Sequence, residues 1–536
     1  MIQWIEDHPI WTIIGAVGAM LLLHLDMFQI TIMEARNFVT AREMIDDGNW
    51  LLTTMNGEPR YEKPPLPTWL SAFFAGLFGL KNLYAYRLPA VLLVILTGVM
   101  TYLLSYRILE DKVQSLLNGL IVITSFYVVG IILEAPWDIF THGFMLVAIY
   151  FLIRLFGEPS EEFKHAIWAG IFLGFSFLSK GPISMYALLL PFLIAYGWVY
   201  GYSGFRGKVM SVIIGLALFV STGLWWYIYV RFQDPLTFEA IASKETSNWA
   251  NYNVKPIYHY WSFFIQSGLW TIPALIGLMY PYMKTRVLHL KAYRFTILWT
   301  IFSVVLLSLV PEKKNRYLMP VLIPLAMNSG FYFEYIIREF TKVSRVEKLP
   351  IYIHFAVVCM IGIALPIAGY FFFWGQIQGY EWVLGLTSLA SALIGMAIFR
   401  SLLHSNIKSA FYQSILFMVA LVALGTPLSK TFQSGTFQPI PSHQKMTDKV
   451  HYYEKIAPEF VWYYGQPILS FDPEKQLEVL SNDGLQVLVD MENLESFEAF
   501  VVQDYQIEVI KSYNLNRMSR QRDRLIAHLY QVRTKE

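Results

Sequence analysis

The sequence predicts a polytopic α-helical membrane protein with a small water-soluble domain at its C-terminal end. Hydrophobic residues make up 55% of the 536 residues and charged residues only 15%, whereas a soluble globular chain carries about a quarter charged residues. Apolar runs of about 20 residues, the length that crosses a bilayer as a helix, recur as far as residue 428. From Ser434 onward the sequence turns polar. These observations exclude a soluble globular fold for most of the chain.

Thirteen apolar runs qualify as candidate membrane spans. If the N-terminus is cytoplasmic, six short loops face inward and hold sixteen Lys and Arg residues, as the positive-inside rule requires. The odd number of spans then places the C-terminus outside. The predicted spans are 10–30, 87–106, 113–133, 137–156, 165–179, 182–201, 209–230, 262–283, 293–310, 318–337, 351–374, 381–400 and 409–428.

Two domains follow from this pattern, a transmembrane domain at 1–430 and a soluble domain at 434–536, which lies outside the membrane if the number of spans is odd. The transmembrane domain includes a polar first outer loop at 31–86. The C-terminal region carries the short apolar segments PILSF, LQVLVD, FEAFVV and LIAHLYQV between helix-like stretches, and it is predicted to be a small α/β domain with these segments as strands. A net charge of +2 without a basic tract excludes a nucleic-acid partner.

The first outer loop predicts a short amphipathic helix followed by an extended segment. Ile32, Ala35 and Val39 share one helical face, and the charged residues Glu34, Arg36, Arg42, Glu43 and Asp46 are expected to face water or a site. The sequence Glu62-Lys63-Pro64-Pro65 favours an extended backbone, because residues before proline avoid the helical region. Glu62 and Lys63 then point to opposite sides. A solvated loop with ion pairs at its rim is the alternative interpretation.

Basic residues at the other outer turns oppose the orientation rule and need another explanation. Asp138 and Lys180 lie at two boundaries of apolar runs, where a helix cap or a snorkelling lysine would explain each one singly. The turn at 311–316 adds Lys313, Lys314 and Arg316. Taken together, these cations predict a phosphate-binding site at the outer leaflet.

Such a site suits a lipid-linked phosphate whose tail lies among the helices while its head group reacts in water. The chemistry that it permits is group transfer from a phosphate leaving group, in which cations neutralise the charge that develops on phosphate. A carboxylate would deprotonate the acceptor hydroxyl. The segment 231–261 adds Glu245, His259 and many aromatic residues, most of which are typical of an interfacial belt.

Several motifs resemble those of the membrane-embedded glycosyltransferases of the GT-C class. They are MEARNFVTAREM, GEPRYEKPPLP, the Trp137-Asp138 pair, LSKGP and NRYLMPVLIP, in that order. The most similar branch comprises the polyprenyl-phosphate-dependent lipid A 4-amino-4-deoxy-L-arabinose transferases and protein mannosyltransferases. The resemblance implies transfer of a sugar from an undecaprenyl-phosphate carrier to a lipid or glycan acceptor, such as lipid A, at the periplasmic face.

The resemblance also implies roles for individual residues. Glu62 matches a carboxylate that binds a divalent metal such as Zn, Mg or Mn, with Glu245 or His259 as further possible ligands. Glu34 and Asp138 are the candidate catalytic carboxylates. The candidate ligands of the donor phosphate are Arg36, Lys63, Lys180, Lys313, Arg316 and Tyr317.

Two departures from the family pattern leave the mechanism open. Met33 stands where the family has its favoured catalytic Asp, and Glu245-Thr246 stands where it often has Glu-His. Either Glu34 replaces the missing Asp, or the acceptor is an anion that needs no base, or the chain is a catalytically degenerate relative that binds carrier lipid. A transporter or flippase of lipid-linked sugars is a further alternative, suggested by the number of spans.

Overall fold

The computed structural model describes most of the chain, and its helices follow the predicted apolar runs. The described residues are 2–134, 136–158, 160–202, 207–373, 377, 379–431, 436–446, 449–471, 484–501, 505–516 and 522–534. The helices are α1 (Ile2–Asp7), α2 (Pro9–Val17), α3 (Ile32–Asp46), α4 (Leu66–Phe78), α5 (Leu83–Leu109), α6 (Lys112–Ile123), α7 (Phe126–Glu134), α8 (Pro136–Gly157), α9 (Glu162–Lys180), α10 (Leu190–Val199), α11 (Val209–Gly223), α12 (Trp225–Gln233), α13 (Pro235–Asn251), α14 (Thr271–Gly277), α15 (Tyr280–Met283), α16 (Leu290–Leu309), α17 (Leu322–Glu339), α18 (Arg345–Phe373), α19 (Glu381–Leu403), α20 (Ile407–Gly425), α21 (Pro458–Tyr464) and α22 (Leu494–Val501).

Six helices in the described ranges are long and apolar enough to cross a membrane, and the helices α11 and α12, bent by 41°, add a seventh if they form one span. Several predicted spans are broken into shorter pieces. The run at 113–133 forms α6 and α7. The run at 262–283 contains Gly268, whose φ of 63° interrupts the 3₁₀-helical stretch Phe263–Trp270, because few residues other than glycine adopt that conformation. The count of thirteen spans stays a prediction.

Large apolar side chains are exposed along the longest helices. Met360, Ile367 and Phe371 on α18, and Trp382 and Leu389 on α19, are all more than half exposed. An apolar surface of this kind is typical of helices that contact lipid rather than water. The structure therefore agrees with the multi-span membrane protein that the composition predicts.

The chain divides into two compact units. The first unit consists of Met1–Leu25, Tyr61–Pro67 and Arg87–Pro427. The second unit consists of Asp26–Arg60, Thr68–Tyr86 and Leu428–Glu536.

The second unit contains a five-stranded mixed sheet. Its strand order is β4-β3-β5-β7-β6, with β3 parallel to β4 and β5, and with β7 antiparallel to β5 and β6. A separate hairpin pairs β1 with β2. The strands are β1 (Thr54–Met55), β2 (Glu58–Pro59), β3 (Val450–Tyr452), β4 (Leu469–Ser470), β5 (Leu485–Asp490), β6 (Tyr505–Asn514) and β7 (Ile526–Thr534).

Both faces of this sheet are covered by apolar packing. Leu488 of β5 packs in a cluster with Phe460 of α21, whereas its neighbour Val487 packs in another cluster with Phe497 of α22, as the alternation of side chains along a strand requires. The strand predicted at FEAFVV is wrong, because residues 494–501 form α22. Phe497 and Val501 are four residues apart and form its buried face.

Helix α3 confirms the helix predicted in the first outer loop but not the exposure of its charged residues. Thr31 caps the helix, and the side chains of Thr31 and Glu34 form a reciprocal capping box. Glu34, Arg42 and Glu43 are buried, at 0%, 5% and 1% exposure. They were expected to face water or a site. Their burial is compensated by hydrogen bonds that the two carboxylates accept and that the Arg42 guanidinium donates.

Candidate active site

In the first unit, an ion pair joins two of the predicted site residues, Lys180 and Asp138. Asp138 lies in the first turn of α8, and Lys180 is the last residue of α9, which ends at Gly181 with φ of 75°. The Lys180 ammonium donates to Oδ1 of Asp138. The Asp138 side chain is 1% exposed and that of Lys180 is 12% exposed. Oδ2 of Asp138 is buried and has no hydrogen-bond partner among the described residues.

Other cations gather around this pair from distant parts of the sequence. The Lys180 Nζ lies 5.5 Å from the centre of the Tyr317 ring, and the Arg316 guanidinium lies 6.0 Å from the same ring. Arg316 and Lys63 are both close enough to act electrostatically on Lys180. The first unit thus brings together Lys63, Lys180, Arg316 and Tyr317 around one carboxylate, and we call these five residues the cation cluster, Asp138 included.

The segment that carries Lys63 is bound at two points to the polar stretch after α12. Lys63 Nζ donates to Oε2 of Glu245 at 3.0 Å, and both side chains are about one-third exposed. The hydroxyl of Tyr61 donates to Oδ2 of Asp234 at 3.1 Å. Burial raises the pKa of Tyr61 to about 12, so this hydroxyl stays protonated at neutral pH. Because the Lys63 ammonium pairs with Glu245, an incoming phosphate would have to replace the Glu245 carboxylate.

The turn at 311–316 separates its two lysines onto opposite sides. Lys313 is 2% exposed, and its ammonium donates to the backbone oxygens of Val310 at 2.6 Å and Lys255 at 3.1 Å. Burial lowers the pKa of Lys313. Lys314 instead donates to Glu312 at 2.5 Å, and its ammonium lies 4.9 Å from the centre of the Tyr252 ring.

This geometry changes which lysine of the turn is available to a ligand. Lys313 was the predicted phosphate ligand, but its ammonium is engaged by two backbone carbonyls, so it stabilises the turn. Lys314, which the prediction did not select, has the side chain that faces the aromatic residues. Glu312 accepts from both Lys314 and the hydroxyl of Tyr317, the latter at 3.2 Å. Alternation along an extended segment predicts that only one lysine faces the site, without saying which.

The predicted metal ligands do not assemble into one group. Glu245 pairs with Lys63, and the His259 Nε2 lies 3.2 Å from Oδ1 of Asn315. Oε2 of Glu62 is buried without a hydrogen-bond partner in the described part of the chain. Among the described residues, no three His, Cys, Asp or Glu side chains are arranged to hold a metal ion.

Glu34 and Arg36 belong to the second unit and differ in exposure, since Glu34 is buried and Arg36 is exposed. Oε2 of Glu34 accepts from the backbone N–H of Thr31 at 2.9 Å and from its hydroxyl at 3.1 Å. A carboxylate that is fully buried and used in this way is poorly placed to take a proton from an acceptor. Arg36 is exposed, and its backbone oxygen accepts from the Thr40 hydroxyl and from Arg60.

Sequence reasoning also missed the structural charges of the second unit. Glu43 accepts from the hydroxyl of Thr54 at 2.6 Å and from the backbone N–H groups of Asn56 and Gly57 at 2.7 and 3.3 Å. Arg42 donates to backbone oxygens of α21. The Asn56-Gly57 turn, which connects β1 to β2, was visible in the sequence, but its carboxylate partner Glu43 lies 13 residues earlier in the chain.

The chain is similar to known proteins in sequence and in fold. Residues 62–226 match the model of the dolichyl-phosphate-mannose-protein mannosyltransferase family, a stretch that includes Glu62, Lys63, Asp138 and Lys180. The fold matches the crystal structure of ArnT from Cupriavidus metallidurans bound to undecaprenyl phosphate, with a TM-score of 0.69 at 15% identity over 97% of this chain and 98% of that one. The chain has an ArnT-like GT-C fold. The apo structure of the same ArnT matches with a TM-score of 0.67 at 16% identity, covering 97% of each chain.

Sequence relatives agree with this fold. An undecaprenyl phosphate-alpha-4-amino-4-deoxy-L-arabinose arabinosyl transferase of Pseudomonas fluorescens is 27% identical over 315 residues, 55% of this chain and 54% of the relative. A second one from that species is 24% identical over 413 residues, 74% of this chain and 67% of the relative. Thus the chain spans about half the length of the first of these curated relatives. The resemblance to the polyprenyl-phosphate-dependent GT-C enzymes is confirmed.

Proposed function

We propose that this protein is a glycosyltransferase that moves a sugar from an undecaprenyl-phosphate-linked donor to an acceptor in the bacterial cell envelope. The cation cluster is the observation that carries the proposal. Lys180 pairs with the buried Asp138 carboxylate, and two cations from separate parts of the chain, Arg316 and Lys63, lie close enough to act electrostatically on Lys180. Such a group of cations suits a phosphate. Relatives named as undecaprenyl phosphate-aminoarabinose transferases support the same class of donor.

The charge of the donor explains why a set of cations is needed. In the reaction, the bond between the sugar C1 and the phosphate oxygen breaks, and its electron pair leaves with that oxygen. The leaving group, undecaprenyl phosphate, carries one more negative charge than the phosphodiester donor. Lys63, Lys180 and Arg316 are positioned to neutralise this charge as it develops, which lowers the barrier.

The acceptor oxygen forms the new bond to C1 and loses its proton if it is a hydroxyl. Oδ2 of Asp138 is unoccupied by any hydrogen bond in the described residues, so Asp138 is the candidate base within the first unit. Glu34 is the weaker candidate for the base, because its carboxylate is held in the capping box of α3. An anionic acceptor, such as a phosphate of lipid A, would need no base.

The topology that we propose keeps the cation cluster at the periplasmic face of the inner membrane. Thirteen spans with a cytoplasmic N-terminus put residues 31–86, 231–261 and 311–316 on that face. The soluble α/β domain at 434–536, which follows the transmembrane domain at 1–430 in the sequence, is on the same side of the membrane. The distribution of loop Lys and Arg supports this orientation. A divalent metal at Glu62 stays a prediction.

Sugar transfer in membranes tests the proposal. Membranes holding the wild-type chain should transfer the sugar from undecaprenyl-phosphate-linked 4-amino-4-deoxy-L-arabinose to a lipid A precursor. Lys63→Ala should reduce the rate about 100-fold or more, the usual effect of removing one group that stabilises developing charge. Lys284→Ala, which changes a lysine of a predicted inner loop, is the matched control and should transfer at the wild-type rate. An unchanged rate in Lys63→Ala would overturn the assignment of the site.

A further inference from the structure

We propose that the first unit binds an anionic glycerophospholipid in an apolar cavity between α8, α9 and α11, with the lipid phosphate held by Arg107 in the last turn of α5 and Arg154 in the last turn of α8. This site is separate from the cation cluster, since it involves the end of α8 opposite to Asp138. The inference does not depend on the proposed sugar transfer.

The cavity is large and lined by apolar side chains. Its volume is about 430 Å³, and it is lined by Leu155 and Phe156 of α8, Leu173 of α9, and Leu216 of α11. Leu216 is 53% exposed, so the cavity is open at the surface of the helices. An open apolar cavity of this size in a membrane protein suits a hydrocarbon chain.

Three cationic side chains lie at one end of the cavity, and we call Arg107, Arg154 and Lys208 the basic collar. The Lys208 ammonium donates to the backbone oxygens of Leu155 and Glu158, each at 2.5 Å. Leu155 also lines the cavity, so the collar and the cavity meet at this residue. At this end of α8, the positive charge of the collar is therefore adjacent to the apolar lining of the cavity.

The collar has more positive charge than its own carboxylate neutralises. Glu158 accepts from Arg154 Nε at 3.2 Å and pairs with Arg107 Nη2 at 3.2 Å, and the His165 Nε2 lies 3.0 Å from its Oε2. Glu161 also acts electrostatically on Arg154, but its carboxylate pairs with Lys164, so Glu158 is the one carboxylate among the described residues that forms ion pairs with the collar. Nε of Arg107 is buried and has no hydrogen-bond partner among the described residues, and a phosphate oxygen would supply one.

These features together select an anionic lipid over a zwitterionic one. A phosphatidylcholine head group brings its own positive charge to the collar, whereas phosphatidylglycerol brings only the phosphate. Basic pockets between membrane helices bind anionic head groups in this way. The helices α9 and α11 also begin at this end, and the positive ends of their dipoles favour an anion.

Native mass spectrometry of the full chain tests the proposal. The protein, purified in detergent and stripped of lipid, is titrated with phosphatidylglycerol or with phosphatidylcholine of the same chain length. The wild type should retain phosphatidylglycerol at a concentration about tenfold lower than phosphatidylcholine, because each basic side chain near a lipid surface adds to the attraction. Arg107→Gln/Arg154→Gln should remove this preference. Leu173→Trp, which fills the cavity, should lower retention of both lipids.

Arg400→Gln is the matched control, because Arg400 lies in the last turn of α19 and does not line the cavity. It should bind like the wild type. Equal retention of the two lipids by the wild type, or an unchanged preference in Arg107→Gln/Arg154→Gln, would overturn the proposal. Retention of undecaprenyl phosphate but not of phosphatidylglycerol would assign the cavity to the carrier lipid and contradict it as well. If Leu173→Trp does not fold, the collar variant still decides.

Discussion

Lys180 and Asp138 form an ion pair that stability alone does not explain. Both side chains are largely removed from water, and the cost of desolvating two charges often equals or exceeds the attraction between them. A pair of well-packed apolar residues at these positions would stabilise the fold at least as much as the ion pair does. The retained charges, with further cations close by, are better explained by a ligand that binds there.

This explanation predicts that stability and activity separate in variants of the pair. Lys180→Met leaves Asp138 buried and unpaired and should destabilise the protein by roughly 3–5 kcal/mol. The double variant Asp138→Asn/Lys180→Met removes both charges and should recover most of that loss in a thermal unfolding assay. Both variants should fail to transfer sugar. Transfer by the double variant at the wild-type rate would contradict a role for the pair in binding phosphate.

The two lysines of the turn at 311–316 should also behave differently. Lys313→Met leaves two backbone oxygens without their donor, so the protein should lose about 1–3 kcal/mol of stability. Lys314→Met removes the cation that pairs with the buried Glu312 carboxylate, which still accepts from the Tyr317 hydroxyl, so this variant should also lose stability. Its KM for the donor should rise. The opposite pattern, with a raised KM only in Lys313→Met, would show that the buried lysine moves to the ligand.

Sequence reasoning found the types of residue at the site better than their individual roles. Lys63, Asp138 and Lys180 were selected because charges at apolar boundaries are unusual, and that signal is local. Lys314 was not selected over Lys313, because the choice depends on which side of an extended segment faces the aromatic residues. The capping box of Glu34 could be predicted from the sequence, since a Thr is followed three residues later by a Glu. Glu34 was interpreted as a catalytic carboxylate instead.

At the scale of elements, α3 shows how a polar helix can be buried. Arg42 Nη1 and Nη2 donate to the backbone oxygens of Trp462 and Val461 at 3.3 and 3.2 Å. The Trp462 carbonyl lies in the last turn of α21, where backbone oxygens lack partners within the helix, whereas the Val461 oxygen also accepts the backbone N–H of Gly465. Burial lowers the pKa of Arg42, but the guanidinium remains charged at neutral pH. Arg42 thus connects two helices of the second unit.

Arg42→Ala should loosen α21 without unfolding the rest of the chain. Hydrogen bonds to a charged group contribute about 1.5–3 kcal/mol, so amide exchange in the stretch 458–464 should become faster in the full-length protein. The measurement is hydrogen–deuterium exchange by mass spectrometry. Arg36→Ala, on an exposed position of the same helix, is the control and should leave that stretch protected. Equal protection in Arg42→Ala would show that α21 does not depend on this contact.

Helix positions followed from the sequence more reliably than helix continuity did. The six helices that are able to span a membrane coincide with predicted apolar runs, since hydropathy alone identifies them. Breaks within runs, as between α6 and α7, depend on packing and on single residues. The segment FEAFVV was misread as a strand because a short apolar run has no clear period, and its helix is defined by the sheet that it covers.

At the scale of the whole molecule, the placement of charge favours transfer over transport. A transporter concentrates polar groups near the middle of the membrane in broken helices that belong to paired repeats. Here the cation cluster is built from helix ends and turns, at the first turn of α8, the last residue of α9 and the turn at 311–316. No repeat is visible in the sequence.

The central claim is that the cation cluster binds the phosphate of a polyprenyl carrier. The most direct measurement is the affinity of the purified full-length protein for undecaprenyl phosphate, compared with that of Lys63→Ala/Lys180→Ala and with the affinity for undecaprenol, which lacks the phosphate. We expect the wild type to prefer undecaprenyl phosphate to undecaprenol by about 100-fold, as two charge-assisted contacts imply, and we expect the double variant to lose this preference. Equal preference in the wild type and the double variant would contradict the central claim.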